Sequence, residues 1–219
     1  MDRMLKLQMK LQETGLFEIM SSFVPQQYID VGWGDQETDA VALFGNQLST
    51  SSCLEKPNCV FEAKDGVFYT IVCFDADRRD SKTGGYLHWV RCNVHGDTRF
   101  ASGRDVWRWQ SPHPAEGDSP HRLFFVVFHQ TNGSLDLSKL PLISKNSKEA
   151  RNDLNLTSLT ERIGLGIVIG ANCCRMAFDE SVPKTLSSLK DKVELSQDGK
   201  TVLAEEANGE RIEYKKMCA

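Results

Sequence analysis

The chain has 219 residues, about two-fifths of them apolar and a quarter charged, with a formal net charge of −4. That suits one medium-sized domain with a buried core, and the mildly acidic balance leaves no overall footprint for sequence-specific nucleic-acid binding. No stretch approaches the ~18 consecutive apolar residues of a membrane-spanning helix, and seven cysteines without a CxxC pair or a secretory leader point to reduced thiols in a cytosol-like compartment.

Residues 3 to 20 read as an amphipathic helix, with Leu5, Met9, Leu16 and Met20 at helical spacing. Gly15 weakens it and divides it in two. Its polar face is mixed in charge, which favours packing on the domain over docking on a membrane. The carboxylates of Asp2, Glu13 and Glu18 argue against a mitochondrial transit peptide. Pro25 ends the segment. A strand over 28–33 follows, then GNQLS at 45–49 and a loop carrying Cys53 and Cys59, which lack partner histidines at zinc spacing.

Residues 59–62 read as a short strand and 63–66 as a hairpin turn into a β-branched, aromatic strand over 68–74. That strand runs into Asp75 and Asp77. A charged, glycine-ended loop leads to the next strand, 86–94, with His88 near its start. After a turn at 95–97, an alternating strand over 106–109 puts Trp107 and Trp109 on one face, in a core or interface role rather than for base stacking. Three prolines and a glycine make 111–120 a stiffened loop. His121 precedes the apolar strand 122–129.

Thr131-Asn132-Gly133 closes the sheet, 137–152 is polar and irregular, and 155–163 reads as a helix N-capped by Asn155 or Asn152. Strand-like stretches at 164–170 and 173–178 follow, the second starting with the vicinal pair Cys173-Cys174, read as core packing. A short helix over 183–191 has proline in its first turn. The organisation is then an N-terminal helical segment (1–22) packing on the domain, the domain itself (23–191), and a charged tail (192–219), hairpin-like around Asp198-Gly199 and Asn208-Gly209.

Asp75, His88 and His121 each sit at one end of an apolar strand, and neighbouring strands would bring all three to one rim of a sheet. Two histidines and a carboxylate are a metal set, although no short-range ligand spacing accompanies them. They are also an acid–base set, with Asp75 orienting a histidine, although GxSxG and a catalytic cysteine are lacking. They equally suit an anion pocket built from imidazoles and backbone N–H groups. Taken singly, each is an ordinary satisfied polar residue at a strand end, which is the first reading for His95, His113 and His129. The glycines of 164–170 lack the lysine of a phosphate loop.

Six pieces occur in a recognisable order: FVP at 23–25, GNQLS, FYTIVCFDAD, LHWVRCNV, SPHPAEGDSPHRLFFVVFHQ, and FDESVPKTLSSL at 178–189. Together they resemble the phosphatidylethanolamine-binding protein family, which includes Raf kinase inhibitor proteins and plant flowering regulators. The resemblance covers roughly residues 11 to 190. It implies a mainly β fold with peripheral helices: a β-sandwich with a Greek-key core and a small anion pocket at one end. By position, Asp75, Asp77, His88, Pro114 and His121 would line that pocket, Tyr86 would stand near its mouth, and Leu186 would help close it.

The frame departs from the family pattern. Ala76 and Arg79 replace two prolines around the aspartates, Leu87-His88 replaces a double histidine, and Leu123 replaces the aromatic after HR. The loop from Asp75 to His88 is also shorter, and Arg78 or Arg79 is placed to fold across the pocket and pair with Asp75 or Asp77. The resemblance implies a non-enzymatic, cofactor-free and metal-free cytoplasmic protein. It would hold a small anion or phospholipid head group and modulate a protein partner, as in kinase regulation. The alternative is a structural subunit of a large assembly, as in the mitochondrial ribosomal large-subunit protein that carries a domain of this family. A phosphoester hydrolase using His121 and Asp75 is a third reading.

Overall fold

The computed structural model describes residues 2–34, 40–78, 85–95, 102–140, 142–144, 146–147, 149–152, 156–188, 193–195, 201–205 and 211–215. In chain order the elements are α1 (Arg3–Glu13), β1 (Asp30–Trp33), β2 (Ala40–Val41), β3 (Asn46–Ser49), β4 (Asn58–Val60), β5 (Phe68–Asp75), β6 (Tyr86–His95), β7 (Arg104–Trp107), β8 (His121–His129), α2 (Leu156–Ile163), β9 (Ile167–Ala177), α3 (Val182–Ser188), β10 (Val193–Leu195), β11 (Thr201–Glu205) and β12 (Arg211–Lys215). A six-stranded sheet runs β3-β9-β8-β5-β6-β7, with β3 parallel to β9 and the other pairs antiparallel.

Strands with no polar face need cover on both sides, and β5 and β8 receive it. One face of the sheet, with Ile71, Cys73, Phe125 and Val127, packs on Val31, Trp33 and Cys59 of the smaller sheet β2-β1-β4. The other face, with Val72, Phe74, Phe124 and Val126, is covered by Leu7 and Leu11 of α1 and Leu156, Leu159 and Ile163 of α2. Each such side chain contributes ~1.5–3 kcal/mol on burial. The result is the expected sandwich with peripheral helices.

Asn172 joins the layers. It is buried on β9; its amide donates to the carbonyls of Ile29 (2.7 Å) and Ala42 (3.0 Å), and its oxygen accepts from the N–H of Phe44 (3.1 Å) and Cys173 (2.7 Å). Beside it a Cβ at Gly170 would lie 2.7 Å from the Gln27 carbonyl oxygen, so only glycine allows this approach of the chain. At the far end of β5, Gln130 accepts from Thr70 Oγ1 (2.9 Å) and the Asn93 N–H (2.9 Å), and donates to Asn93 Oδ1 (2.9 Å). The asparagine and glutamine of the family-like strands therefore lock the end of the sheet opposite Asp75.

Several elements differ from the expectation. In α1 the core-facing pair is Leu7 and Leu11, while Leu5 and Met9 are 48% and 45% exposed. The basic residues flank the buried stripe instead of opposing it: Arg3 lies over the Tyr28 ring (4.6 Å) and Lys10 over Phe44 (5.2 Å), covering apolar rings with aliphatic stems. The helix does break at Gly15, which has φ +78° and is followed by a single 3₁₀ turn, Leu16–Glu18. Residues 63–66 are not a hairpin turn, because β4 pairs with β1 whereas both edges of β5 are taken by β6 and β8. The two tryptophans do not share a face. β7 ends at Trp107, which enters the helix-side core, and Trp109 packs on Trp33 and Trp89 across the sheet.

The two stretches expected after residue 164 merge into the single strand β9, whose Cys173 and Cys174 point into opposite cores. Among the described residues, six cysteines are free and buried. α3 begins one residue before Pro183. The tail forms three antiparallel strands, β10-β11-β12, rather than a single hairpin. Both of its Asx-Gly turns, Asn155, and residues 96–97 of the expected turn lie outside the described residues.

Asn172→Ala leaves four backbone groups unsatisfied between the layers, and a loss of ~3 kcal/mol or more in urea unfolding is expected. Gly15→Ala forces a side chain into φ +78° with its Cβ 2.3 Å from Arg122 Nη1. A melting temperature lower by several degrees is expected, since left-handed backbone alone costs an L-residue ~1–2 kcal/mol and each kcal/mol is worth about 2–4 °C at this size.

Candidate functional site

The C-terminal end of β5 meets the start of both β6 and β8, because Asp75 pairs in register with Tyr86 on one side and Leu123 on the other. Asp75 Oδ2 holds His121 Nδ1 at 2.7 Å, and the ring's Nε2 lies 3.3 Å from Asp118 Oδ2. Burial works against the charged form of His121, yet the two carboxylates outweigh it and raise its pKa above the ordinary histidine value.

His88 occupies a β-bulge. Cys73 pairs with Trp89 and Phe74 with Leu87, leaving His88 as the extra residue of β6, the device by which strands re-aim a side chain. It is fully buried, with Nδ1 2.7 Å from the Gln110 carbonyl oxygen. A carbonyl only accepts, so Nδ1 carries the proton and Nε2 is the bare nitrogen. That Nε2 is buried and has no hydrogen-bond partner. Burial first, then the neighbouring His113, holds the pKa of His88 well below the usual value, and the ring is neutral.

The rings of Tyr86, His113 and Trp109 pack around the His88 imidazole, with centroids 5.1, 5.9 and 6.3 Å from its own. The Tyr86 hydroxyl donates to Gln110 Oε1. Arg78 lies over the Tyr86 ring (4.4 Å) and donates to His113 Nε2 at 2.6 Å. Arg151 is buried behind the site, donating to the carbonyls of Leu87 (2.9 Å) and His88 (2.8 Å) and so holding the bulge.

The residues expected at the pocket thus divide. Asp75 and His121 bond directly, while Tyr86 and His88 pack together beside them with buried Pro114 in the adjoining loop. Asp77 turns the other way. Its carboxylate is clasped by Arg122 at 2.7 and 2.9 Å; burial would raise its pKa, but the guanidinium prevails and lowers it. Leu186 is partly buried on α3 and is not among the ring-packed or hydrogen-bonded groups of the site. Arg78 crosses the site as foreseen but engages His113 and Tyr86, while Asp75 and Asp77 bond to His121 and Arg122. Arg79 lies outside the described residues.

His113, Gln110, Asp118 and Arg151 escaped the sequence reading as site residues. His113 had a legible signal, since a histidine between two prolines has its direction fixed by a stiff loop. Arg151 had none, as it stands in an irregular stretch far along the chain. Among the described residues no group of three or more His, Cys, Asp or Glu side chains is placed to hold a metal ion, and no helix is long and apolar enough to cross a membrane.

The model of the family described as phosphatidylethanolamine-binding protein matches residues 54–161. The chain is similar to Protein TERMINAL FLOWER 1 of Arabidopsis thaliana, 25% identical over 158 residues that cover 70% of this chain and 81% of the relative. Among solved structures it resembles the carboxypeptidase Y inhibitor complexed with its cognate proteinase, with TM-score 0.65, 18% identity, and coverage of 82% of this chain and 98% of that one. It also resembles the phosphatidylethanolamine-binding protein of Plasmodium vivax, with TM-score 0.58, 14% identity, and coverage of 78% and 97%. The fold, the ordered motifs and these matches agree, and together they support a member of the phosphatidylethanolamine-binding protein family.

Proposed function

We propose that the cluster around His88 holds a phosphate-bearing small molecule or lipid head group and that occupancy modulates a protein partner. The observation that carries this reading is the buried, unpartnered Nε2 of His88, because an unsatisfied polar atom in a native core calls for a missing partner. Cationic groups stand around it: Arg78, Arg151 and a His121 ring biased toward its charged form. Members of the family are in general non-enzymatic binding or regulatory proteins. One fold neighbour is titled as an inhibitor in complex with a proteinase, which supports a protein partner here.

The tautomer refines the ligand. Nε2 of neutral His88 accepts a hydrogen bond and cannot donate one. A phosphate monoanion meets it with its own P–OH while its charged oxygens face the guanidinium of Arg78. A fully ionised oxyanion such as sulfate brings no proton, so His88 must be protonated against its burial before sulfate binds.

NMR titration of the histidine rings tests both points. In the free protein, His121 is expected to titrate above the ordinary value of ~6.5 and His88 to stay neutral to well below it. Inorganic phosphate should shift His88 and His121 saturably and bind at least about tenfold tighter than sulfate near neutral pH. The difference should narrow as pH falls, and His88→Ala should abolish it. Equal affinity for the two anions would refute the tautomer argument. No shift with millimolar phosphate would reject the pocket and favour the assembly-subunit reading, which size fractionation of native extract would then examine.

The histidines also set a pH signature in stability. His121 has a raised folded pKa, so its contribution is full below the unfolded value and is lost as pH rises through the folded one. His88 has a depressed folded pKa, so its contribution is full above the unfolded value and is lost as pH falls toward the folded one. Denaturant unfolding of His121→Gln is therefore expected to lose less stability than wild type between pH 6 and 8.

A further inference from the structure

A cavity of 440 Å³ lies on the other side of the Asp75 rim, between the end of α1 and the ends of β8 and β9. The volume falls within the range of small-molecule sites. It exists because α1 stops short of the sheet: the helix covers the core as far as Leu11 and breaks at Gly15, leaving the first residues of β8 and the last of β9 uncovered on that face. The floor carries Arg122 and Arg175, which are paired in register on adjacent antiparallel strands. Side chains directly opposite share a face, and like charges there repel.

The two arginines differ in one respect. Arg122 is neutralised by a carboxylate, bonding Asp77 through two nitrogens and donating Nη1 to the Thr14 carbonyl oxygen at 3.1 Å. Arg175 is exposed, and its guanidinium meets no carboxylate or hydrogen-bond acceptor among the described residues. On the opposing wall stand the exposed carboxylates of Glu13 and Glu18, the latter only loosely set against Arg122 at 3.9 Å. An anion alone would gain Arg175 and face two carboxylates, and a cation alone would gain the carboxylates and face two guanidiniums. A molecule bearing both charges satisfies each side at once.

We infer that this cavity is a second ligand site, separate from the His88 cluster, for a small zwitterion with an acid group on Arg175 and an amine toward Glu13 and Glu18. Its floor and walls are contributed by α1, β8 and β9, so occupancy joins the N-terminal helix to the sheet end. His121 lines the cavity with its neighbour Pro120, placing the two sites on either side of one imidazole.

The test titrates the full ¹⁵N-labelled chain with glycine, β-alanine and γ-aminobutyrate, which differ in the span between charges. Acetate and ethylammonium serve as single-charge controls. At least one zwitterion is expected to shift the amides of Thr14, Gly15 and Arg175 saturably, with an affinity about tenfold or more above either control. Arg175→Gln should remove that advantage. Glu13→Gln with Glu18→Gln should bring acetate level with the zwitterion, because the repelling wall is gone. Acetate binding as tightly as every zwitterion in wild type, an unchanged Arg175→Gln, shifts confined to the His88 ring, or no shift with any probe would each overturn the assignment. Phosphate acting at His88 is read on different signals, so the two sites fail or succeed separately.

Discussion

Two strands, β5 and β8, are apolar on both faces, and most of the architecture answers that constraint. A strand of this kind cannot stand at an edge or face water. It needs partners along both edges and cover above and below, and the structure provides β6 and β9 at the outer edges, the β2-β1-β4 sheet on one side and α1 with α2 on the other. Asn172 then makes the arrangement single-valued, since its four hydrogen bonds close only when β1 and the residues after β2 sit at one height on β9.

The same constraint places the chemistry. Polar side chains can leave the apolar strands only at their ends. Asp75 ends β5, His121 begins β8, and β6 inserts His88 through a bulge two residues beyond Tyr86. Gln130 and Asn93 do the complementary work at the other end, where their hydrogen bonds are complete and no polar atom of the set is left seeking a partner. The sheet thus has one sealed end and one end with a buried nitrogen still unsatisfied, and this asymmetry is what supports the proposed site at the Asp75 rim.

Charge is sorted across that rim. Asp75 and Asp77 are two residues apart and point to different environments, Asp75 to the imidazole of His121 and Asp77 to the guanidinium of Arg122. Strand alternation would keep positions 75 and 77 on one face, so their divergence marks where the strand ends: the chain bends at Ala76, and the Asp77 N–H folds back onto Asp75 Oδ1 at 2.8 Å. One face carries the His88 cluster and the other the cavity beneath α1. His121 and Arg122 repeat the separation on β8, so a short motif of ordinary polar residues borders both the His88 cluster and the cavity beneath α1.

Much of the fold was legible in the sequence because strand composition is local: the apolar runs, the proline-stiffened loop, the glycine break at Gly15 and the polar residues at strand ends need no knowledge of partners. Asp75, His88 and His121 could be placed at strand ends for the same reason, whereas Tyr86 came only from the family resemblance. Partners and directions were not legible. Whether β4 turns back on β5 or joins β1 depends on which edges the other strands leave open. Which stripe of α1 is buried depends on the aromatic rings that Arg3 and Lys10 find beside it. The inward turn of His88, the outward turn of Asp77 and the arrival of Arg151 behind the bulge all rest on contacts between segments tens of residues apart. Composition and period settle what a segment buries, and only long-range packing settles against what, because the energies that choose among partners belong to pairs and not to single positions.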